Sequence, residues 1–259
     1  MHKAYRLQIP EGHFESKHIS AGRYMCFIED NSLRDTLSTF IMEDGNIDGG
    51  KLSNAWFPKV PAEVFISHSH ADTELAYGLA GWLFNYFGIE SFIDSTVWGH
   101  YDHLLELLCK EHAPDSSQGE SYKANLARHI HLMLASALSV MMDKTECVIF
   151  IHSENSVIEN NRQTRTKSPW LLHEVQMMRL LRQLSLSAHR QPSLEESLGS
   201  EKHAHIPEIH HQIDLTSLPV INENHMLRWK LAFFAQLDAQ IKSPTKSLDW
   251  LYKNVTLLS

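Results

Sequence analysis

The chain has 259 residues, a formal net charge of −8 and a hydrophobic fraction of 43%, enough for one large domain or a domain of about 150 residues with additions. The acidic balance argues against a nucleic-acid backbone as the main partner, because that binding concentrates Lys and Arg. No run approaches the roughly 18 apolar residues that span a bilayer. The N-terminus lacks the apolar stretch of a secretory signal, so a cytoplasmic protein with no membrane partner is expected.

Residues 1–60 read as an N-terminal addition of strands and loops, with strand-like runs over residues 4–9 and 23–28. Turns are expected at Asp44-Gly45-Asn46 and Asp48-Gly49-Gly50. The regular part spans 61–259. It opens with Glu63-Val64-Phe65-Ile66-Ser67, a continuous apolar run that suits a strand covered on both faces. Ser69 is a candidate helix cap, with Asp72 three residues on. Leu75, Leu79, Trp82, Leu83 and Phe87 then recur at helical spacing, and Gly88 is placed to stop that helix. Residues 90–94 form a second short strand. Strand, helix and strand within about 30 residues make a βαβ unit and imply a parallel sheet.

A short helix is expected over residues 101–110, then a polar insertion near 111–123. The next helix carries Leu126, Ile130, Met133, Leu134, Ala137, Leu138 and Met141 as a stripe. A third strand covers 146–151. A polar loop over 153–167, holding the short basic cluster Arg162, Arg165 and Lys167, leads to Ser168-Pro169-Trp170. Pro there suits the first turn of a helix, which is expected to run to about residue 184. Residues 185–205 read as an exposed insertion, 206–209 and 218–221 as late strands, 226–241 as a closing helix and 247–252 as a short terminal one. Such alternation implies a flavodoxin-like, doubly wound parallel sheet, with ligands at the carboxyl ends of the strands.

Cys26, Cys109 and Cys147 are far apart and odd in number, which argues against a disulfide framework. The 18 histidines include the close pairs His68/His70, His129/His131, His203/His205 and His210/His211. No Cys accompanies them, no His-Glu-x-x-His helix occurs, and i,i+2 positions on a helix do not face one another. His100 and His103 have helical spacing but no evident third ligand. No metal and no resident cofactor are expected. No Gly-x-Ser-x-Gly elbow and no Gly-rich phosphate loop occurs.

Three stretches together resemble the TIR (Toll/interleukin-1 receptor) family, in particular the stand-alone bacterial TIR-like proteins of the Thoeris anti-phage defence type. Val64-Phe65-Ile66-Ser67-His68-Ser69-His70-Ala71-Asp72 is similar to the family's opening strand and loop. Gly88-Ile89-Glu90-Ser91-Phe92-Ile93-Asp94, followed by Trp98, is similar to the second strand and the start of the BB loop. Cys147-Val148-Ile149-Phe150-Ile151-His152-Ser153, then Ser168-Pro169-Trp170-Leu171-Leu172-His173-Glu174, resembles the third strand and the Trp-x-x-x-Glu helix of TIR enzymes. The resemblance covers roughly residues 62–240. It departs from the animal receptors, whose Arg-Asp-x-x-Pro-Gly box is replaced here by residues 95–99.

The resemblance implies an enzyme that cleaves the nicotinamide–ribose bond of NAD, with Glu174 as the catalytic carboxylate. Such a carboxylate stabilises positive charge developing on the ribose. Trp170, four residues before Glu174, shares its helix face and would set an aromatic surface beside it. Ser67, His68 and Ser69 would bind phosphate or ribose, and Asp94 and Trp98 would line the nicotinamide end. The plainer alternative is an amphipathic helix with Trp170 in the core and Glu174 in solvent. His173 points to another face and is not assigned as a general base. The resemblance further implies bacterial immunity through NAD depletion or an ADP-ribose-derived messenger, self-association through TIR surfaces, and a separately encoded effector. The rival is a non-catalytic TIR interaction scaffold. A nucleoside transferase or a nucleotide-binding flavodoxin-like protein is a third possibility.

Overall fold

The computed structural model describes residues 1–25, 40, 47–56, 61–94, 104–110, 119–160, 163–181, 183–189, 211–235 and 244–256. Its centre is a five-stranded, all-parallel sheet of β1 (Lys3–Leu7), β2 (Val64–Ser67), β3 (Ser91–Ile93), β4 (Cys147–Ile151) and β8 (Val220–Ile221), in the order β3-β2-β4-β1-β8. The fold is therefore α/β. All five residues of β4 are buried, and they alternate between two cores. Cys147, Ile149 and Ile151 point into one, Val148 and Phe150 into the other. A strand covered on both faces needs no polar alternation, which is why these runs are apolar throughout.

Helices fill both faces. On one side lie α1 (Ser16–Met25), α3 (Thr73–Phe87), α8 (Glu223–Ala235) and α9 (Pro244–Asn254), joined by Phe14, Leu79, Leu83, Trp229 and Leu248. The other side is covered by α2 (Gly49–Trp56), α4 (residues 104–110), α5 (Gly119–Lys144) and α6 (Pro169–Leu180), through Leu52, Leu104, Ile130, Leu134, Leu171 and Val175. As expected, Gly88 ends α3 in a left-handed conformation, φ 70°, with its N–H turned back to the Leu83 and Phe84 carbonyls. Ser168 caps α6, its hydroxyl accepting from the Leu171 N–H, and Pro169 fills the first turn.

Several expectations are corrected. The N-terminal strand is not peripheral, because β1 pairs with β4 on one side and β8 on the other. Residues 23–25, read as strand, belong to α1. Gly22 and Gly81 let α1 lie against the backbone of α3, where a Cβ at either position would strike the Tyr77 or His18 carbonyl oxygen. Asp48-Gly49-Gly50 is a helix start, with the Asp48 carboxylate accepting from the Lys51 N–H at 3.0 Å. Part of the polar loop forms β5 (Ile158–Asn160) and β6 (Gln163–Thr166), which make an antiparallel sheet with β7 (His211–Gln212) from later in the chain. Helix α6 ends at Leu180 rather than near 184, and α7 (Leu186–His189) opens the expected insertion. The expected strand at 206–209 lies outside the described residues, as do the turn at 44–46 and most of the insertion near 111–123. Among the described residues, no helix is long and apolar enough to cross a membrane.

Candidate functional site

Parallel pairing aligns β2 and β3 so that Ile66 faces Ile93. The residues after that register, Ser67–His68 and Asp94, therefore emerge together at the carboxyl ends of neighbouring strands. From the next layer, α6 brings Glu174 onto them. Ser67 Oγ donates to Glu174 Oε2 at 2.6 Å, and His68 Nδ1 lies 2.6 Å from Asp94 Oδ1. Four residues separated in the chain thus form one cluster. Ser67 and Glu174 have 0% exposure, Asp94 2% and His68 3%.

The electrostatics follow from this enclosure. Burial, then the neighbouring Asp94, pushes the Glu174 carboxyl well above the ordinary carboxylate range, against the opposing Ser67 hydrogen bond. Burial acts against the charged form of His68, but Asp94 and Asp72 together outweigh it and raise its pKa. The His68–Asp94 contact is short without the alignment of a good hydrogen bond, so its effect is chiefly Coulombic. His68 Nε2 turns toward Thr73 Oγ1 at 3.5 Å. Among the described residues, no N–H or O–H donor reaches Glu174 Oε1.

The other expected residues are Ser69, Trp170 and Trp98. Ser69 starts the 3₁₀ turn His70–Asp72, yet its hydroxyl makes no cap bond, so the capping expectation fails at that residue. Trp170 turns to a neighbouring helix. Its ring stacks on His131 of α5, with centroids 4.3 Å apart and planes 26° apart, and it packs at the edge of the core. The amphipathic alternative correctly put Trp170 against the core but wrongly put Glu174 in solvent. His173 turns to α5, its Nε2 3.0 Å from Ser139 Oγ, in keeping with the separate face assigned to it. Trp98 lies outside the described residues, as do His100 and His103. Among the described residues, no group of three or more His, Cys, Asp or Glu side chains is placed to hold a metal.

One element of the site was not singled out from the sequence. Asp72, 4% exposed, accepts from Ser153 Oγ at 2.5 Å and from Asn155 Nδ2 at 2.8 Å. It ties the loop after β2 to the loop after β4, and its charge also acts on His68. Its spacing from Ser69 suggested only a helix cap, and its partners lie more than 80 residues away.

Ser153 also lines an open cleft of about 920 Å³ at the carboxyl ends of β1, β4 and β8, with Gln8, Glu11, His152, Asn222 and Glu223. Glu174 is not on that wall. The candidate site is placed at the buried cluster because its perturbed ionisable groups converge at the carboxyl ends of adjacent strands. The buried group Tyr5, Cys147 and Tyr252, also shifted by burial, lies instead within the core. The cleft is joined to the cluster through Ser153 and Asp72. No family model matches the chain, no curated protein matches it, and no solved structure matches it.

Proposed function

We propose that this chain is a TIR-like protein of flavodoxin type that cleaves NAD at the nicotinamide–ribose bond, with Glu174 as the carboxylate facing the ribose. The observation that carries this reading is the convergence of Glu174 with Ser67, His68 and Asp94 at the ends of adjacent parallel strands, where α/β folds bind ligands. The order β3-β2-β4 repeats the 2-1-3 arrangement of flavodoxin-like sheets. β1 then occupies the position that the fourth strand holds in that pattern.

In the proposed reaction the C1′–N bond breaks and its electron pair goes to the ring nitrogen, so nicotinamide leaves as a neutral molecule. Positive charge develops on C1′ and the ring oxygen of the ribose. An ionised Glu174 stabilises that charge or holds the ribose hydroxyls. Water or another nucleophile then bonds to C1′ and loses a proton. Ser67 and His68 lie close enough to this centre to orient the ribose or a phosphate. The biological setting that accompanies this reading is bacterial anti-phage immunity, with an ADP-ribose-derived signal read by a separately encoded effector and with self-association through TIR surfaces in a cytoplasmic protein.

One observation favours the scaffold reading. Glu174 is wholly enclosed and its Oε2 is already bonded to Ser67, as a purely structural residue would be. Incubating the purified protein with NAD at low and high protein concentration, and following free nicotinamide by chromatography, separates the two. Release that rises steeply with protein concentration supports an assembled NAD-cleaving enzyme. No release at any concentration supports the scaffold.

A further inference from the structure

Among the described residues, Glu174 has one neutral donor, the Ser67 hydroxyl, and its second oxygen has none. The charged group acting on it is the Asp94 carboxylate. An ionised Glu174 would be a fully buried anion beside another anion, with no cation of its own, which is a costly arrangement. Asp94 does have a basic partner, the His68 imidazole at 2.6 Å, whose charged form Asp94 and Asp72 favour. We propose that His68 and Asp94 act as a positioning pair, with the charge held between them and the Glu174 carboxyl kept protonated in the resting protein. The proton belongs on Oε1, leaving Oε2 to accept from Ser67.

The surrounding elements are consistent with this assignment. From the turn after β2, Asp72 faces His68 and supports its positive charge. From α5, Ser139 and His131 take up His173 and Trp170 rather than Glu174. Among the described residues, the strand ends contribute Ser67, His68 and Asp94. With Glu174 protonated, one imidazolium balances one carboxylate within the four-residue cluster, and the Asp72 carboxylate beside it is held separately by Ser153 and Asn155.

A consequence for the reaction rests on the NAD reading. Glu174 is the wrong species to stabilise a cation until it loses its proton. A positively charged nicotinamide ring arriving beside it favours the carboxylate, so the substrate's own charge would generate the catalytic form. The reduced dinucleotide, whose ring is neutral, would not.

The test reads the protonation state and does not require turnover. Infrared spectra of the protein at neutral pH are compared with those of Glu174→Gln, and the band of a protonated carboxyl is followed as pH rises in wild type, Asp94→Asn and His68→Gln. The expected result is a buried protonated-carboxyl band lost in Glu174→Gln. Its ionisation midpoint should fall by on the order of one pH unit in Asp94→Asn, where a like charge is removed, and rise in His68→Gln, where the balancing cation is removed. A role confined to packing would not move the midpoint in opposite directions. The proposal is overturned if the band is missing from the wild type at neutral pH, or if both folded variants titrate as wild type does. Failure of the NAD reading would appear separately, as absent nicotinamide release with the infrared result intact.

Discussion

Ser67 and Glu174 are 107 residues apart in the chain and meet at 2.6 Å in a fully buried contact. The bond fastens the middle of α6 to the carboxyl end of β2, so the same two side chains anchor a helix to the sheet and define the centre of the candidate site. Removing the hydroxyl leaves a buried carboxyl with no donor. Ser67→Ala is expected to cost about 1–3 kcal/mol, measurable by urea unfolding. It should also raise the midpoint at which Glu174 ionises, since the hydroxyl favours the charged form.

The pH dependence of stability has a definite sign. The unfolded chain ionises a Glu near pH 4.3 and a His near 6.5, and both Glu174 and His68 are raised in the fold. A raised carboxyl contributes stability that is present below its unfolded value and declines as pH climbs toward the folded one. A raised imidazole keeps its contribution below about pH 6.5 and loses it as pH rises through its folded value. Glu174→Gln removes only the first window. Its stability relative to wild type should therefore improve steadily as pH rises from about 4. A flat difference across urea melts at several pH values would contradict the raised Glu174.

Asp72 joins two loops through Ser153 and Asn155. In a double-mutant cycle of Asp72→Ala and Ser153→Ala, a coupling of about 0.5–3 kcal/mol is expected. Strict additivity would show that the two loops are held together by something else.

The α1–α3 contact is set by glycines rather than by large side chains. A methyl group at Gly81 would collide with the His18 carbonyl oxygen, and backbone cannot yield as the end of a flexible side chain can. Gly81→Ala should destabilise the protein by about 3 kcal/mol, at the upper end of ordinary overpacking. A substitution that left the urea midpoint unchanged would mean that the helices do not approach this closely.

What was legible in the sequence follows the range of the interactions. The β2–α3–β3 unit could be read because its signals are local, in an apolar run, a 3.6-residue stripe and Gly88 as a stop. The convergence of Ser67, His68, Asp94 and Glu174 was reachable from resemblance alone, since nothing local to Glu174 tells a buried carboxyl from an exposed one. Three features were not legible. The place of β1 between β4 and β8 is a non-local pairing that five residues cannot specify. Residues 23–25 lacked a helical stripe because α1 packs through Gly22, where contact depends on the absence of a side chain. The i,i+4 spacing of Trp170 and Glu174 states only that the two residues share a face, and the stacking of Trp170 on another helix was not readable from it. The ring stacks on His131 of α5.

The most direct test of the central claim is nicotinamide release from NAD by wild-type protein and by Glu174→Gln, each shown by circular dichroism to be folded. Release by the wild type and its loss in the variant are expected, because the amide keeps the shape of the side chain and an acceptor for Ser67 but cannot become an anion. Release that continued undiminished in folded Glu174→Gln would contradict the role given to that carboxylate.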